Sequence, residues 1–404
     1  LIAQRAETLR STHTVLFGYR QGYFSIPPKP AKLAYKERSI VAPTNPTPAV
    51  AVAMSERWIV PGLAPLIPDP WHKEALSAAV RERLVVKLPT PTIPQFYRRL
   101  ARYARMFFRK HFTPVHREAL HRRLAAGETA PFSYWLSHST YPQSRQSELR
   151  ELWLERRQQR LKKQDFRCKA FVKHEAYEKP KFPRAIVSRS DAYKCFSGPW
   201  FSLIEESVYS SKFFVKHVPV EGRPAFIDRL QELGLPILGS DFSSFELHAN
   251  AQVQKCIELP FYDYMLKPLG SDAADAFLRV HRRVATSKQK LTGKYARFTI
   301  PACRMSGETC TSLGNGITNL ILVSFITDRF GGLVEDAVVE GDDGLFAIRG
   351  HVPTKEQFAS AGCAVVLERH ETLDTAGFCS MFFARVDAER TLMRDFREKL
   401  VKFG

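Results

Sequence analysis

Nine residues constrain this chain more than any others: Val338-Val339-Glu340-Gly341-Asp342-Asp343-Gly344-Leu345-Phe346. Two apolar residues lead in, a glycine opens a turn, two carboxylates stand side by side, and an apolar run leads out. The pattern predicts a β-hairpin with Gly-Asp-Asp-Gly at its turn. Adjacent aspartates repel each other, so a fold that presents them together usually supplies a cation. A plain surface turn uses the same signal, since Asp-Gly is common in hairpins.

The 404 residues carry 44% hydrophobic and 25% charged residues, the balance of a globular chain with an ample core. Net charge is +19, which points to a polyanionic partner, nucleic acid before a membrane surface. Aromatics at 12% argue against a disordered basic tail. Seven cysteines (Cys168, Cys195, Cys256, Cys303, Cys310, Cys363, Cys379) form no CxxC pair, so reduced thiols in a cytosolic compartment are expected rather than disulfides or a zinc site. The longest apolar run, residues 317–326, is too short and too polar to span a bilayer. The chain starts at Leu1 without a signal peptide and stops abruptly at Gly404, which reads as a fragment.

Residues 1–90 are rich in proline and predict extended chain with short elements. Over residues 92–112, Phe96, Leu100, Tyr103, Met106 and Phe107 recur at helical spacing, while Arg98, Arg99, Arg102, Arg105, Arg109 and Lys110 fill the other face. That face is either solvated surface or a phosphate contact. Residues 146–164 predict a charged connecting helix. Then Phe171-Val172-Lys173-His174-Glu175 and Ala185-Ile186-Val187 read as a hairpin carrying Lys173, Lys179, Lys181, Arg184 and Arg189, cations suited to a polyphosphate.

An apolar strand runs into Asp241, and Ser243-Ser244 predict the cap of a helix continuing to Cys256. Asp241 is placed either to reach a metal or simply to cap that helix. Farther on, Arg304-Met305-Ser306-Gly307-Glu308-Thr309-Cys310-Thr311-Ser312-Leu313-Gly314-Asn315 leads into a long buried helix. Thr311 and Asn315 lie four apart on one helix face, where they could read a sugar hydroxyl or serve as satisfied core polars.

In this order, the basic hairpin, Asp-x4-Glu (Asp241, Glu246), SG-x3-T-x3-N and the GDD hairpin resemble the RNA-dependent RNA polymerases of positive-strand RNA viruses. The wording of the SG-x3-T-x3-N segment is most similar to the tombusvirus-like and related invertebrate-virus enzymes. The resemblance spans about residues 130–385. Trp135-Leu136-Ser137-His138 with Tyr141-Pro142 resembles the fingers region, and Phe378-Cys379-Ser380 the short hairpin that grips the primer.

The resemblance implies an α+β right-hand polymerase fold: a Pro-rich segment (1–90) packing on fingers, fingers (91–235) with a triphosphate-binding hairpin (171–189), and an antiparallel palm (236–385). A fingers insertion (about 257–300) interrupts the palm, and the thumb (386–404) is largely missing. It further implies template-directed RNA synthesis by two-metal phosphoryl transfer. Asp241 and Asp342 would hold two Mg²⁺ (or Mn²⁺) ions with Asp343 assisting, the metals about 3.5–4 Å apart. Lys173, Lys181, Arg184 and Arg189 would meet the triphosphate. Glu246, Thr311 and Asn315 would sense the ribose, Glu246 standing where the family commonly has Asp. Ser306 and Gly307 would form a mobile loop under the templating base, and Gly341, Phe378, Cys379 and Ser380 would contact primer and template. Lys355, Arg369 and His370 lie where a general acid is expected, and none matches.

Partners implied are RNA template, nascent RNA, ribonucleoside triphosphates and other viral replication proteins. The place implied is the host cytoplasm, at a membrane-associated complex reached through parts outside this chain. Two alternatives stand: a reverse transcriptase, which lacks SG-x3-T-x3-N, and a basic RNA-binding viral protein without catalysis.

Overall fold

A computed structural model describes residues 36–39, 74–112, 118, 120–122, 130–173, 182–386 and 389–394. Over these the chain is an α+β arrangement of three sheets and surrounding helices. Five strands make one sheet in the order β1 (Lys36–Ser39), β6 (Ala296–Ile300), β5 (Gln289–Thr292), β2 (Cys168–Val172) and β3 (Ala185–Arg189). A four-stranded sheet runs β7 (Gly332–Glu340), β8 (Asp343–Gly350), β4 (Ile237–Phe242) and β9 (Val365–His370), antiparallel throughout. The third sheet holds β10 (Gly377–Phe378), β11 (Met381–Val386) and β12 (Glu389–Arg394).

The four-stranded sheet is the centre because its strands β4, β7 and β8 bury residues on both faces. Ala337, Val339, Phe346, Ile348 and Leu238 enter the largest core, which includes the helix Thr311–Arg329. Their strand neighbours Val338, Leu345, Ala347 and Ile237 enter a second core with Ile227, Leu230 and Phe383. Alternate residues serve opposite cores, as the two-residue period of a strand requires. Two-sided burial explains why these strands read as continuous apolar runs.

The chain between His248 and the Ser306 loop leaves this sheet through three helices, and β5 and β6 then join the five-stranded sheet. There β5 lies parallel to β2, while β1 pairs with β6. The helix Ala75–Leu84 covers that sheet, sharing a core with Cys168, Ala170, Val172 and Phe298. Of the Pro-rich stretch, residues 1–35 and 40–73 lie outside the described residues.

Three expectations change. The basic helix spans Phe96–His111, but its buried stripe is Phe96, Leu100, Ala104 and Phe108; Met106 is 59% exposed, off the four-residue spacing. The charged helix runs Gln143–Arg156 and stops there. Arg156 turns back onto Asp165 with a two-pronged ion pair (3.1 and 2.8 Å), and Asp165 also accepts the Lys162 amide. Finally, Ser244 caps nothing. It takes a left-handed conformation, the helix Phe245–His248 ends after four residues, and Asn250 Oδ1 caps the separate helix Ala251–Cys256.

The three-stranded sheet continues through β12 to Arg394. All seven cysteines are single thiols, six of them buried. Among the described residues no helix is long and apolar enough to cross a membrane.

Candidate active site

The turn of the β7–β8 hairpin is shorter than the four-residue motif suggests. Glu340 pairs with Asp343, so only Gly341 and Asp342 make the loop and Asp343 already belongs to β8. Gly341 has φ +60°, while Asp342 is not in the positive-φ region. Glycine at the first central position with positive φ marks a II′-type turn, whose twist suits a hairpin.

Register brings the third carboxylate across. Ser240 of β4 pairs with Gly344 of β8, so the next residue, Asp241, lies beside the start of β8 and the turn. The 101 positions between Asp241 and Asp342 are thus closed by one antiparallel ladder. Asp241 and Asp342 are exposed and Asp343 is half-buried. Burial pushes the Asp343 carboxyl up to about 6, and the charges of Asp342 and Asp241 push the same way. Among the described residues no three His, Cys, Asp or Glu side chains close into a metal cage by themselves.

Side chains absent from the sequence reading hold this turn. Asn319, fully buried on the helix Thr311–Arg329, donates through Nδ2 to the Asp342 carbonyl (2.8 Å), and its Oδ1 accepts from Ser240 Oγ (3.5 Å). It therefore ties the hairpin turn to β4 from below. Asn319 lies four residues after Asn315, so a helical face continuing the motif was the available signal. On the other side Glu340 meets Arg223 (3.6 Å) and the Cys379 thiol (3.9 Å). Cys379 also hydrogen-bonds Asp343, and burial with those two carboxylates raises the thiol's pKa.

Cys379 and Ser380 form the turn between β10 and β11, both with positive φ (53° and 58°). Phe378 is buried in the core behind the sheet, where its ring anchors the turn. This puts the 378–380 hairpin against the carboxylates.

The Ser306-Gly307 loop is stitched to β3. Ser306 Oγ donates to the Ala185 carbonyl (3.1 Å) and accepts from the Val187 amide (3.2 Å); the Gly307 amide donates to the Val187 carbonyl (2.9 Å). A Cβ on Gly307 would lie 2.9 Å from that same carbonyl oxygen, so the contact requires glycine. The expected mobile loop is a docked one in this structure.

Arg189, expected at a triphosphate, is elsewhere. It is 3% exposed and grips Glu308 through Nε and Nη2 (2.7 and 2.6 Å) while Nη1 donates to the Phe166 carbonyl. Arg304, also buried, links Glu308 to Glu258 and donates through Nε to Asn315 Oδ1 (3.3 Å). Burial alone would raise the Glu308 carboxyl, but the Arg189 and Arg304 guanidiniums outweigh it and hold it low. A charged ladder thus runs beneath the loop, invisible to a motif search because its members are scattered over residues 189–308.

Thr311 Oγ1 donates to the Met305 and Glu308 carbonyls (3.2 and 2.8 Å), holding the loop rather than standing open. Glu246 is half-buried; its Oε2 is enclosed and, among the described residues, has no hydrogen-bond partner. Lys173 and Arg184 close the open end of the β2–β3 ladder through a backbone hydrogen bond (2.7 Å), with Arg184 exposed. Lys179 and Lys181 lie outside the described residues.

Comparison with known proteins finds viral relatives. The chain is 28% identical over 186 residues to the RNA-directed RNA polymerases of Atlantic halibut nervous necrosis virus and greasy grouper nervous necrosis virus. These matches cover 44% of this chain and 18% of each relative. It is 27% identical over 236 residues to that of red clover necrotic mosaic virus, covering 53% of this chain and 30% of the relative. Over these stretches the chain is similar to viral RNA-directed RNA polymerases. The matches span less than a third of those relatives' length, and no family model matches the chain.

Proposed function

We propose that this chain carries the catalytic region of an RNA-directed RNA polymerase with a right-hand fold. In this reading the four-stranded sheet is the palm, the five-stranded sheet and its helices (with residues 257–300 interleaved) are fingers, and the β10–β11 turn is the primer-contacting hairpin. The observation that carries it is the convergence of Asp241, Asp342 and Asp343 at one end of the β4–β8–β7 ladder.

The donor set fits Mg²⁺. That ion prefers oxygen, keeps several waters and takes one or two carboxylates plus substrate phosphates, so an open carboxylate cluster suits it better than a closed cage. When bound, two such ions lower the pKa of a primer 3′-hydroxyl and neutralise the triphosphate. Asp241 and Asp342 would hold them, with Asp343 assisting. Asn319 fixes the Asp342 backbone, which keeps the carboxylates in register with β4.

The chain's other residues bind and orient the nucleotide. Arg184 and Lys173 contact the triphosphate as a fork and a point charge. Glu246 Oε2 accepts a hydrogen bond from the ribose 2′-hydroxyl, which relieves its buried, unsatisfied state. Arg304 occupies Asn315 Oδ1, leaving Nδ2 as the donor toward the same sugar. Arg189, in its ion pair with Glu308, positions the loop and makes no substrate contact. RNA template, nascent strand and ribonucleoside triphosphates are the partners of this reading, and cytoplasmic viral replication is its setting.

The test is extension of a labelled RNA primer–template with Mg²⁺ and either rNTPs or dNTPs, beside Asp342→Asn. Extension with rNTPs alone, abolished in the variant while RNA binding persists, is expected. Extension with dNTPs indicates a reverse transcriptase. RNA binding without synthesis by the folded, complete protein leaves a binding protein.

A further inference from the structure

A recess of about 1880 Å³ lies away from the carboxylates: none of Asp241, Asp342 and Asp343 lines it. Its walls come from the segment after the helix Gln143–Arg156, the helices Asp191–Tyr209 and Asp272–Thr286, and β5. Ten Arg and Lys residues line it against one carboxylate, Asp272. Two of the ten are committed, Arg156 to Asp165 and Arg189 to Glu308. The other eight are exposed, and among the described residues none sits within ion-pair distance of a carboxylate.

Those eight come from two stretches more than a hundred residues apart. Arg157, Arg160 and Arg167 belong to one, Arg279, Arg283 and Lys290 to the other. Arg279 and Arg283 are four apart and share a helix face. Half-buried aromatic rings lie among the cations: Trp153, Phe166 and Phe196. Trp153 is stacked on Phe132 (4.3 Å between centroids, 10° between planes), with the Arg157 guanidinium 5.3 Å above its ring.

We propose that this recess is a binding groove for single-stranded RNA, separate from the site of Asp241, Asp342 and Asp343. Unpaired like charges gathered in a concave surface repel one another and focus a field that a polyanion relieves. The volume exceeds the roughly 300–1000 Å³ of small-molecule pockets, which favours a polymer over a free nucleotide. Trp153 is occupied by Phe132 and Arg157, and half-buried Phe166 and Phe196 beside the cations supply the aromatic part of the pairing of base stacking with backbone contacts that single strands use. A base-paired helix hides its base faces, and a flat lipid surface cannot follow cations into a recess.

The test uses the full protein and a labelled single-stranded oligouridylate of about twenty nucleotides, a length that exceeds one groove. Affinity is measured across a salt series for wild type and for Arg279→Glu/Arg283→Glu. Expected is a loss of about ten-fold or more in affinity and a salt slope lower by about 0.7 for each contact removed. Extension of a short primer–template should keep its wild-type rate. Unchanged affinity and slope overturn the proposal. Equal loss of short-template extension overturns it too, because the recess would then be part of the synthesis site. Loss of binding to phosphatidylserine vesicles with RNA affinity intact replaces RNA by a membrane. If the Glu pair lowers the melting temperature, Arg279→Gln/Arg283→Gln gives the same readout without charge reversal. The binding readout needs no RNA synthesis, so it stands or falls apart from the polymerase reading.

Discussion

Removing Arg304 tests whether the buried charges under the Ser306-Gly307 loop act as one unit. Arg304 is 1% exposed, and Glu258, its ion-pair partner, is 0% exposed. Breaking a buried pair from one side costs about 3–5 kcal/mol, because the remaining charge is left in a poorly solvated place. Glu258 keeps hydrogen bonds from Tyr262 (3.2 Å) and Thr318 (3.1 Å), and Glu308 keeps Arg189, so Arg304→Met belongs at the lower end. With roughly 2.1 cal/mol/K of unfolding entropy per residue, a chain this long moves about 1.2 °C per kcal/mol. Arg304→Met is therefore expected to melt about 4 °C below wild type in a thermal unfolding scan.

Gly314 gives the coupling. A Cβ there would lie 2.5 Å from Glu258 Oε2 and would overlap Arg304 Nη2 outright. Gly314→Ala alone should cost about 1–3 kcal/mol by overpacking. In the Arg304→Met background the guanidinium is gone and a flexible thioether gives way, so the second substitution should cost less. A coupling of at least about 1 kcal/mol is expected in the double-mutant cycle. Additive losses, agreeing to within about 0.5 kcal/mol, or a shift below about 1 °C for Arg304→Met, would refute the single buried unit.

Other outcomes follow from the same contacts. Asn319→Ala releases the Asp342 carbonyl and the Ser240 hydroxyl, so primer extension should fall steeply while RNA affinity, read by anisotropy, stays at wild type. Asp343 has its folded pKa raised from 3.8 to about 6, so the folded chain holds more protons than the unfolded one between those values and loses stability as pH rises through them. Asp343→Asn in EDTA should consequently melt above wild type at pH 7.5, with the difference vanishing near about pH 4; a constant difference across that range would contradict the assignment. Gly307→Ala pushes against the Val187 carbonyl and should slow single-nucleotide incorporation by about a hundred-fold, as small misplacements near the chemistry do.

What was legible in the sequence were features that one short segment decides by itself. The β7–β8 hairpin is written in Gly341 and its apolar flanks, and the alternating burial of Ala337 to Val339 follows from strands with cores on both faces. The helix Thr311–Arg329 is written in its long apolar face. Features decided by partners far along the chain were not legible. Arg189 sits on a basic hairpin and reads as a phosphate ligand until Glu308, 119 positions away, is seen to bury it. Thr311 and Asn315 share the predicted face, yet Met305, Glu308 and Arg304 take up the hydroxyl and the amide oxygen. Ser244 looked like a cap because serine usually is one, but the left-handed turn after Asp241 hands capping to Asn250. These misreadings share a physical cause. A cation, hydroxyl or amide can be satisfied by substrate or by the protein itself, and local spacing does not distinguish the two. The carboxylates differ: the β4–β8 and β7–β8 registers bring Asp241, Asp342 and Asp343 to one end of the sheet, where the charges of Asp342 and Asp241 help raise the Asp343 carboxyl, a repulsion that a bound cation would relieve.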